Sequence, residues 1–484
     1  MVAEFLQFPT AYWAEHQPNE VAIIWKKGNS QGENSVLSLS STLFPNIAEQ
    51  ITWAEWQRLV LSTQLYLAQI GVKSNSLIAY QGSHRLAGLL CYCATLAMGA
   101  RLLQISPMMP EKQLKYCLSQ NSVQVLITDQ HFADFSQDLT AYMLQANCNQ
   151  IDHFNLPATF TLTSGSSGNP KAVVHTIQQH LDNAKGVCEL MDFKQQDCWL
   201  LSLPLFHVSG QGIVWRWLSV GATLMLVENK QDFWQGLAQS SHASLVPTQL
   251  QRYLAQTERC VKKQKILLGG AFIPSELITQ AMQQGIETYA GYGLTEMAST
   301  VCAVKAENDN VGRPLWQREI LIEHDEIWVR GAGLGLGYWL NQQIVPFINV
   351  QGWFETKDKG YWNKQNHLVV EGRLDNMFIS GGENIQPEQI EKILLSSGLI
   401  EQVMIIPISD NEFGFRPVAV VKFTELFNLQ AVRLLEDFAK QHLEKFKLPI
   451  AYVPFPSHIQ GGIKYPRKKL QQEIALQFKR EKNV

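Results

Sequence analysis

The segment from Thr161 to Lys171, Thr-Leu-Thr-Ser-Gly-Ser-Ser-Gly-Asn-Pro-Lys, combines residue types that bind phosphate. Glycines let the backbone approach an anion closely, hydroxyl and N–H groups donate hydrogen bonds, and Lys171 adds a positive charge. The spacing differs from the GxxxxGK[ST] phosphate loop, and a flexible Ser/Gly linker is the alternative. A predicted strand before the segment and a predicted helix after it favour phosphate binding. The residues assigned to this role are Thr163, Ser164, Gly165, Ser166, Ser167, Gly168 and Lys171.

A second segment, Gly291-Tyr-Gly-Leu-Thr-Glu296, brings an aromatic ring, a hydroxyl and a carboxylate close together. An exposed Tyr292 can stack on a purine ring, and Thr295 can hydrogen-bond a phosphate. Glu296 can hold Mg²⁺, which favours hard oxygen ligands. Taken singly, each of these residue types is more often structural. The segment therefore indicates a nucleotide site only in combination with the phosphate loop.

Two further segments carry charged residues between glycines. Asp358 lies between Gly352 and Gly360, where we expect a turn; it is a candidate acceptor for paired ribose hydroxyls or, equally, a turn-stabilising residue. Gly372-Arg-Leu-Asp375 follows, and the pair Gly381-Gly382 comes shortly after it. These charged and glycine-bounded segments complete a set of four ordered motifs.

The composition excludes several classes of protein. The 484 residues include 40 basic and 43 acidic ones, so no global field attracts nucleic acid or an anionic membrane. The N-terminus shows no secretory signal, and the apolar segment 86–100 is shorter than the roughly twenty residues that span a bilayer. We interpret it as a buried helix. The eight cysteines form no CxxC pair, so we expect reduced thiols, no zinc site and a cytoplasmic location.

The elements that position these residues follow two patterns. Short β-branched segments alternate with helical patterns through the first three quarters, which predicts a mostly parallel, helix-covered α/β architecture. After about residue 320 the strands become more antiparallel, and a compact α+β unit ends the chain. We place the boundary in the loop Gly372–Asp375. The prediction is a large domain over 1–374 and a small one over 375–484.

The four motifs, in this order, resemble those of the adenylate-forming superfamily, which includes acyl- and aryl-CoA ligases; the likeness runs from about residue 50 to 470. It implies an α/β fold with a large multi-sheet N-terminal adenylation domain and a small mobile α+β C-terminal domain. It also implies two reaction steps. A carboxylate attacks the α-phosphate of ATP to give an acyl-adenylate and pyrophosphate, and a thiol then displaces AMP. ATP, Mg²⁺ and coenzyme A would act as substrates and activator, with no tightly bound prosthetic group.

The resemblance implies a role for each nucleotide-site residue. The 163–168 loop and Lys171 would hold the β- and γ-phosphates, Thr295 the α-phosphate, and Glu296 the Mg²⁺ ion. The residues expected around the adenosine are Gly269, Gly270, Ala271, Tyr292, Gly293, Asp358 and Arg373.

The small domain would carry the residues that change place between the two steps. Asp375 would be the hinge about which the domain rotates, and Gly381 and Gly382 would approach the pantetheine arm of CoA. A lysine near the end of the chain would bridge the acid carboxylate and the α-phosphate as charge develops, and the preceding Gly461-Gly462 favours Lys464 over Lys468 or Lys469.

The acid itself is predicted from the segment around His207. No Asp stands in 203–210 to pair an α-ammonium group, which disfavours amino acids. His207 is either an acyl-pocket or thiol-channel residue, or a core imidazole. Polar residues suit a compact aromatic acid with a second polar group, although Ser209 could equally cap a helix. The pocket residues predicted are Ser209, Gly210, Gln211 and Ser299.

Within the superfamily, the segments 162–176, 203–218 and 291–303 most resemble o-succinylbenzoate–CoA ligases of menaquinone biosynthesis. Ser167 stands where the family usually has Thr, Ala172 where it has Gly, and residues 27–50 resemble an insertion. The alternatives are a ligase of the same mechanism for another aryl or acyl acid and an inactive nucleotide-binding module. The partners expected are a small carboxylic acid, ATP and CoA, without nucleic acid or a transmembrane segment; a homo-oligomer is compatible with the sequence.

Overall fold

A computed structural model of the chain describes residues 5–27, 43–137, 153–163, 170–229, 231–256, 263–306, 309–410, 412–424, 427–456 and 467–481. These residues form helices and four β-sheets. The helices are α1 (Pro9–His16), α2 (Trp53–Gln69), α3 (Arg85–Ala97), α4 (Glu111–Gln120), α5 (Asp129–Gln137), α6 (Ile177–Met191), α7 (Val208–Val220), α8 (Phe233–Gln239), α9 (Pro247–Leu254), α10 (Ser275–Gln283), α11 (Pro387–Leu395), α12 (Leu429–His442) and α13 (Arg467–Glu481).

The largest sheet has nine strands, parallel at its centre and antiparallel at both edges. Its strands are β1 (Val21–Lys26), β2 (Gln50–Thr52), β8 (Cys198–Leu200), β9 (Thr223–Val227), β10 (His242–Leu245), β11 (Gln264–Leu268), β12 (Ile286–Leu294), β13 (Ser299–Lys305) and β14 (Arg313–Pro314). The spatial order is β14-β13-β12-β11-β10-β8-β9-β1-β2. The parallel run from β12 to β1 confirms the predicted α/β pattern of alternating strands and helices.

A seven-stranded sheet forms the second layer. Its strands are β3 (Leu77–Gln81), β4 (Arg101–Ile105), β5 (Val125–Thr128), β6 (Pro157–Thr163), β7 (Lys171–Thr176), β17 (Gly337–Leu340) and β18 (Gln343–Val345). The order is β18-β17-β7-β6-β4-β3-β5, with parallel pairing from β6 to β5 and antiparallel pairing on the other side. The strand β7 was not predicted from the sequence, and it changes the setting of the phosphate loop.

Two smaller sheets follow in the chain, and both contain antiparallel pairs. One contains β15 (Arg318–Glu323), β16 (Glu326–Gly331), β19 (Phe354–Trp362) and β20 (Leu368–Arg373). The other contains β21 (Phe378–Ser380), β22 (Glu383–Ile385), β23 (Ile400–Asp410), β24 (Gly414–Phe423) and β25 (Tyr452–Pro454). The predicted domain boundary falls between β20 and β21, in a short 3₁₀ turn over Leu374–Asn376. The boundary itself stays a prediction.

The main core packs helices between the two large sheets. The apolar segment predicted to be a buried helix is α3, whose residues from Leu86 to Leu96 are all buried. Trp53 of α2 and Trp217 of α7 stack with ring centroids 5.0 Å apart. The last sheet has a separate core with α11 and α12, which includes Ile390 and Leu435. Separate cores fit the predicted pairing of a large α/β unit with a small α+β unit.

Helix ends follow local sequence. Thr52 and Glu55 form a reciprocal capping box at the start of α2, and Thr176 and Gln179 form one at the start of α6. In the part of the chain that the structure describes, no helix is both long enough and apolar enough to cross a membrane. No disulfide joins the six cysteines in this part, five of which are buried.

Candidate active site

The predicted nucleotide residues gather where parallel strands of the nine-stranded sheet end. β11 leads into Gly269-Gly270-Ala271, and the last residues of β12 are Gly291–Leu294. In open α/β sheets, ligands bind at this carboxyl edge. A Cβ on Gly269 would stand 3.3 Å from the carbonyl oxygen of Gly291, so the two segments lie side by side. The predicted adenine turn therefore adjoins the Tyr292 segment.

The phosphate loop connects two antiparallel strands. Thr163 pairs with Lys171 across β6 and β7, and the Thr163 hydroxyl donates to the Lys171 carbonyl oxygen at 3.3 Å. The prediction of a helix directly after the loop was wrong, because residues 171–176 pair on both sides with β6 and β17, and the helix begins only at Ile177. Five predicted phosphate ligands, Ser164, Gly165, Ser166, Ser167 and Gly168, lie outside the described residues. Their role stays a prediction.

Tyr338 of β17 joins the two charged residues predicted around the phosphates. The Lys171 Nζ lies 5.2 Å from the centroid of the Tyr338 ring, a cation–π contact. The Tyr338 hydroxyl donates to Oε1 of Glu296 at 2.8 Å. Burial raises the pKa of Glu296, and the hydrogen bond from Tyr338 partly offsets this effect. The result is an oriented, half-buried carboxylate, and its oxygens fit the donor type that Mg²⁺ prefers.

A hydrogen-bonded chain links the predicted adenine and ribose residues. The Tyr292 hydroxyl donates to Asp358 Oδ2 at 2.6 Å, and Arg373 Nη1 donates to Asp358 Oδ1 at 3.1 Å. The sequence analysis predicted a turn at Asp358, and this prediction was wrong. Asp358 lies in β19, where it pairs with Arg373 across the sheet. Burial raises the pKa of Asp358, and the positive charge of Arg373 opposes that shift. Tyr292 is half-buried, and burial and Asp358 raise its pKa well above the usual value.

Arg373 also binds the predicted hinge residue. Its Nε and Nη2 donate to the two carboxylate oxygens of Asp375 at 2.9 and 3.2 Å. Burial acts to lower the pKa of Arg373, but the hydrogen bond and charges of Asp375 and Asp358 together raise it. The guanidinium is therefore held between two carboxylates. This pairing places Asp375 against the ribose residues, while its role as hinge stays a prediction.

Arg216, which the sequence analysis missed, dominates the other side of the site. It lies on α7 and is 1 % exposed. Its guanidinium donates to the hydroxyls of Ser244 at 3.1 Å, Ser299 at 3.5 Å and Thr300 at 3.2 Å, while Nε has no hydrogen-bond partner among the described residues. Burial lowers its pKa to about 10. An arginine in the apolar segment Ile-Val-Trp-Arg-Trp-Leu was the signal available in the sequence.

The other predicted pocket residues have different settings. Ser299, 8 % exposed, contacts Arg216 as described. Ser209 and His207 are half-buried at the start of α7, and the Phe206 and His207 rings lie 4.7 Å apart. Gln211 is buried and donates to the Thr161 hydroxyl at 3.1 Å and the Leu205 carbonyl oxygen at 3.0 Å. Gly210 packs so tightly that a Cβ would stand 2.2 Å from the Pro204 carbonyl oxygen. These contacts give Gln211 and Gly210 structural roles in shaping the pocket wall.

The residues predicted for the thiol step lie in the small sheet. Gly381 and Gly382 form the two-residue turn between β21 and β22, with φ of +59° and +89°. Such a turn requires positive φ at both positions, which glycine adopts without strain. The Gly381 N–H donates to the Phe413 carbonyl oxygen at 2.9 Å. Lys464 lies outside the described residues, so its role stays a prediction.

Comparison with known proteins shows which family the chain belongs to. Residues 11–339 match the family described as AMP-binding enzyme, and the chain belongs to that family. It is 47 % identical over 432 residues to the 2-succinylbenzoate–CoA ligase of Haemophilus influenzae, covering 88 % of this chain and 93 % of the relative. The 2-succinylbenzoate–CoA ligase of Escherichia coli is 42 % identical, over 89 % of this chain and 94 % of the relative.

A solved structure agrees with these relatives. A variant of E. coli MenE with bound OSB-AMS superposes with a TM-score of 0.83 at 36 % sequence identity, covering 98 % of this chain and 100 % of that one. Within the AMP-binding enzymes, the chain is therefore a member of the 2-succinylbenzoate–CoA ligase group. The predicted adenylate-forming family and the predicted α/β fold class are confirmed.

Proposed function

We propose that this chain is an AMP-forming acid–thiol ligase that adenylates 2-succinylbenzoate with ATP and then transfers the acyl group to CoA, a step of menaquinone biosynthesis. The observation that carries the proposal is the buried Arg216, whose hydrogen bonds go only to hydroxyl groups in the described residues. A buried guanidinium without a carboxylate needs an anionic partner. 2-Succinylbenzoate has two carboxylates, so one can be activated while the other pairs with Arg216.

The first step requires positioning and charge neutralisation more than proton transfer, because a carboxylate is already a nucleophile. Lys171 and the loop before it hold the β- and γ-phosphates, and Thr295 donates to the α-phosphate. Glu296, oriented by Tyr338, holds the Mg²⁺ ion, which supplies charge neutralisation at the phosphates when bound. Asp358 accepts from the ribose hydroxyls, and Arg373 fixes its orientation.

The second step uses the small domain over 375–484. Rotation about Asp375 exchanges Lys464, which serves adenylation, for the Gly381-Gly382 turn, which serves attack by the CoA thiol. The turn protrudes between β21 and β22 without side chains, so a narrow thiol arm can pass close to its backbone. His207, at the start of α7, lines the approach to the reacting carbonyl.

Pyrophosphate release with ATP and Mg²⁺ tests the proposal directly. The acids are 2-succinylbenzoate, 4-oxo-4-phenylbutanoate, 2-butanoylbenzoate, benzoate, coumarate, octanoate and the twenty amino acids, each with and without CoA. We expect a strong response to 2-succinylbenzoate, with a CoA thioester as product. A stronger response to another acid would keep the mechanism and overturn the substrate.

Two variants distinguish a specific loss of catalysis from a general loss of folded protein. Glu296→Gln should lower the rate of pyrophosphate release by about 100-fold or more, in the range seen when a preorganised charged group is removed from a transition state. Glu276→Gln, at an exposed position on α10, is the matched control and should leave the rate unchanged. ATP binding without pyrophosphate release from any acid would instead support an inactive nucleotide-binding module.

A further inference from the structure

The turn between β12 and β13 carries groups from both halves of the active site. Thr295 and Glu296 lie on its nucleotide side, and Ser299 and Thr300, which contact Arg216, lie on its acid side. The backbone between them is strained, because Ala298 has φ of +54° and Ser299 has φ of +132°. Residues other than glycine rarely adopt these conformations, and they persist where surrounding contacts hold them. The contacts that hold this turn therefore set the distance between the acid and the phosphates.

One side chain brackets the strained residues. Asn183 lies on α6 and is 1 % exposed. Its Nδ2 donates one hydrogen to the Met297 carbonyl oxygen at 2.8 Å and the other to the Thr300 carbonyl oxygen at 2.9 Å. Its Oδ1 is buried and has no hydrogen-bond partner among the described residues, so the amide acts through its two N–H groups. The backbone carbonyl of Asn183 accepts from Arg318, which anchors this part of the helix.

A glycine-rich loop packs closely against the same turn and against the Asn183 side chain. Gly333 has φ of +89°, and a Cβ there would stand 2.8 Å from the Met297 carbonyl oxygen and 3.1 Å from Asn183 Nδ2. The Gly335 N–H donates to the Glu296 carbonyl oxygen at 2.8 Å. The turn is therefore held between α6 and this loop, with little freedom to shift.

We propose that Asn183 is a positioning residue that sets acid selectivity by fixing Ser299 and Thr300 against Arg216. Because these two hydroxyls hold one nitrogen of the guanidinium, a shift of the turn moves the group that recognises the second carboxylate. The same shift moves Glu296, so binding of the acid and its alignment with ATP change together. This inference rests on the proposed use of a dicarboxylate acid.

The test compares two acids in the wild-type protein and in Asn183→Leu, which keeps the number and branching of the side-chain heavy atoms and removes both hydrogen bonds. We measure kcat/KM for 2-succinylbenzoate and for one analogue with a single carboxylate. The analogue is either 4-oxo-4-phenylbutanoate or 2-butanoylbenzoate, whichever of these two the wild-type protein uses better. The loss of two hydrogen bonds corresponds to a change in kcat/KM of roughly 10-fold or more. We expect the ratio of the two kcat/KM values to fall by about that factor. A purely structural role would lower both values equally and leave the ratio unchanged.

Control variants separate this effect from loss of folding. Asn121→Leu removes another buried amide, which donates to the Cys117 carbonyl oxygen at 2.8 Å, and should leave the ratio unchanged. Gly333→Ala leaves Asn183 unsubstituted but adds a Cβ that presses on the Met297 carbonyl oxygen and on the Asn183 amide itself, and it should also lower the ratio. Gly352→Ala introduces comparable backbone strain, because Gly352 has φ of +80°, but nothing lies within 4 Å of the added Cβ. This variant should leave the ratio unchanged.

These variants give a definite result in each case. If Asn183→Leu does not fold, Gly333→Ala decides, and an unchanged ratio in that variant overturns the inference. If both fold with unchanged ratios, Asn183 has no role in selectivity although the proposed function stands. If the wild-type protein does not use 2-succinylbenzoate, the proposed function fails and the inference fails with it.

Discussion

Two arginines on opposite sides of the site have opposite electrostatic settings. Arg373, on the nucleotide side, is partly exposed and lies between the carboxylates of Asp358 and Asp375, which raise its pKa despite partial burial. Arg216, on the acid side, is buried among hydroxyl groups, and burial lowers its pKa to about 10. The first charge is compensated by two carboxylates within the protein, whereas the second has only hydroxyl hydrogen-bond partners among the described residues.

The difference indicates how each half recognises its substrate. ATP brings its own charge and its own Mg²⁺, so the nucleotide side needs oriented acceptors for neutral ribose hydroxyls more than it needs additional charge. In the proposed function Asp358, which Tyr292 and Arg373 hold in place, is such an acceptor. In the proposed function the acid side selects a small anion next to the buried Arg216, where a charge is effective because little water competes with it. On that proposal, the uncompensated Arg216 supplies selectivity at the expense of stability.

The largest effect is expected for Arg216→Met. Loss of one partner of a buried, hydrogen-bonded charge pair costs about 2–5 kcal/mol, so kcat/KM for 2-succinylbenzoate should fall by roughly 30-fold to several thousand-fold. The KM for ATP should change little. Since the free protein loses an uncompensated buried charge, its free energy of unfolding should stay level or rise, by up to about 4 kcal/mol.

Steady-state kinetics and chemical denaturation measure both quantities on one sample. Arg101→Met is the matched control. Arg101 is half-buried over the Phe160 and Trp339 rings and donates to the Asn75 carbonyl oxygen, and none of these three residues is a predicted site residue. It should leave acid selectivity unchanged. A marked loss of stability in Arg216→Met, with both substrates affected equally, would contradict the comparison.

A smaller effect with the opposite substrate dependence is expected for Asp358→Asn. The variant weakens the ion pair with Arg373 and the acceptor for ribose, and a hydrogen bond to a charged group contributes about 1.5–3 kcal/mol. The KM for ATP should rise by roughly 10-fold or more, while the KM for the acid changes little. Asp325→Asn is the control, since Asp325 is an exposed partner of Lys359 in the same sheet. A rise in the KM for the acid without a rise in the KM for ATP would contradict the assignment of Asp358 to the nucleotide side.

The sequence predicted the nucleotide half better than the acid half, for a physical reason. Nucleotide contacts come from glycine turns and short motifs, whose chemistry is visible locally, and Tyr292, Asp358 and Arg373 indeed meet. The contacts on the acid side join residues far apart in the chain: Asn183 bonds a carbonyl 114 positions away. Strand β7 was missed although β6 pairs with it across the phosphate loop, because its other pairing partner, β17, lies much later in the sequence.

Elements whose patterning is local were predicted closely. The strand over 326–331 and the helix beginning at Pro387 occur as expected, because alternation and a proline at the first helical position are local signals. The Arg216 signal was also local, since a charged residue on an apolar helix needs a partner. Its partners could not be predicted, because Ser244 lies in β10 and Ser299 and Thr300 lie in β13, both far from Arg216 in the sequence.

The smallest effect concerns two buried histidines, His175 near the end of β7 and His180 on α6. His180 stacks on Trp215, next to Arg216, and its ring lies 5.1 Å from that of His175. Burial lowers the pKa of His175 to about 4, so the folded protein keeps this ring neutral. The unfolded chain takes up a proton below about pH 6.5, and stability therefore falls as the pH drops from 6.5 towards 4.

This linkage should contribute about 1–2 kcal/mol to the loss of unfolding free energy between pH 7 and pH 5. His175→Phe should remove that part of the slope in denaturation curves measured at several pH values. His324→Gln, at a side chain that is 85 % exposed, should leave the slope intact. An unchanged slope in His175→Phe would mean that the folded protein accepts a proton on the buried His175 ring, and it would contradict the lowered pKa.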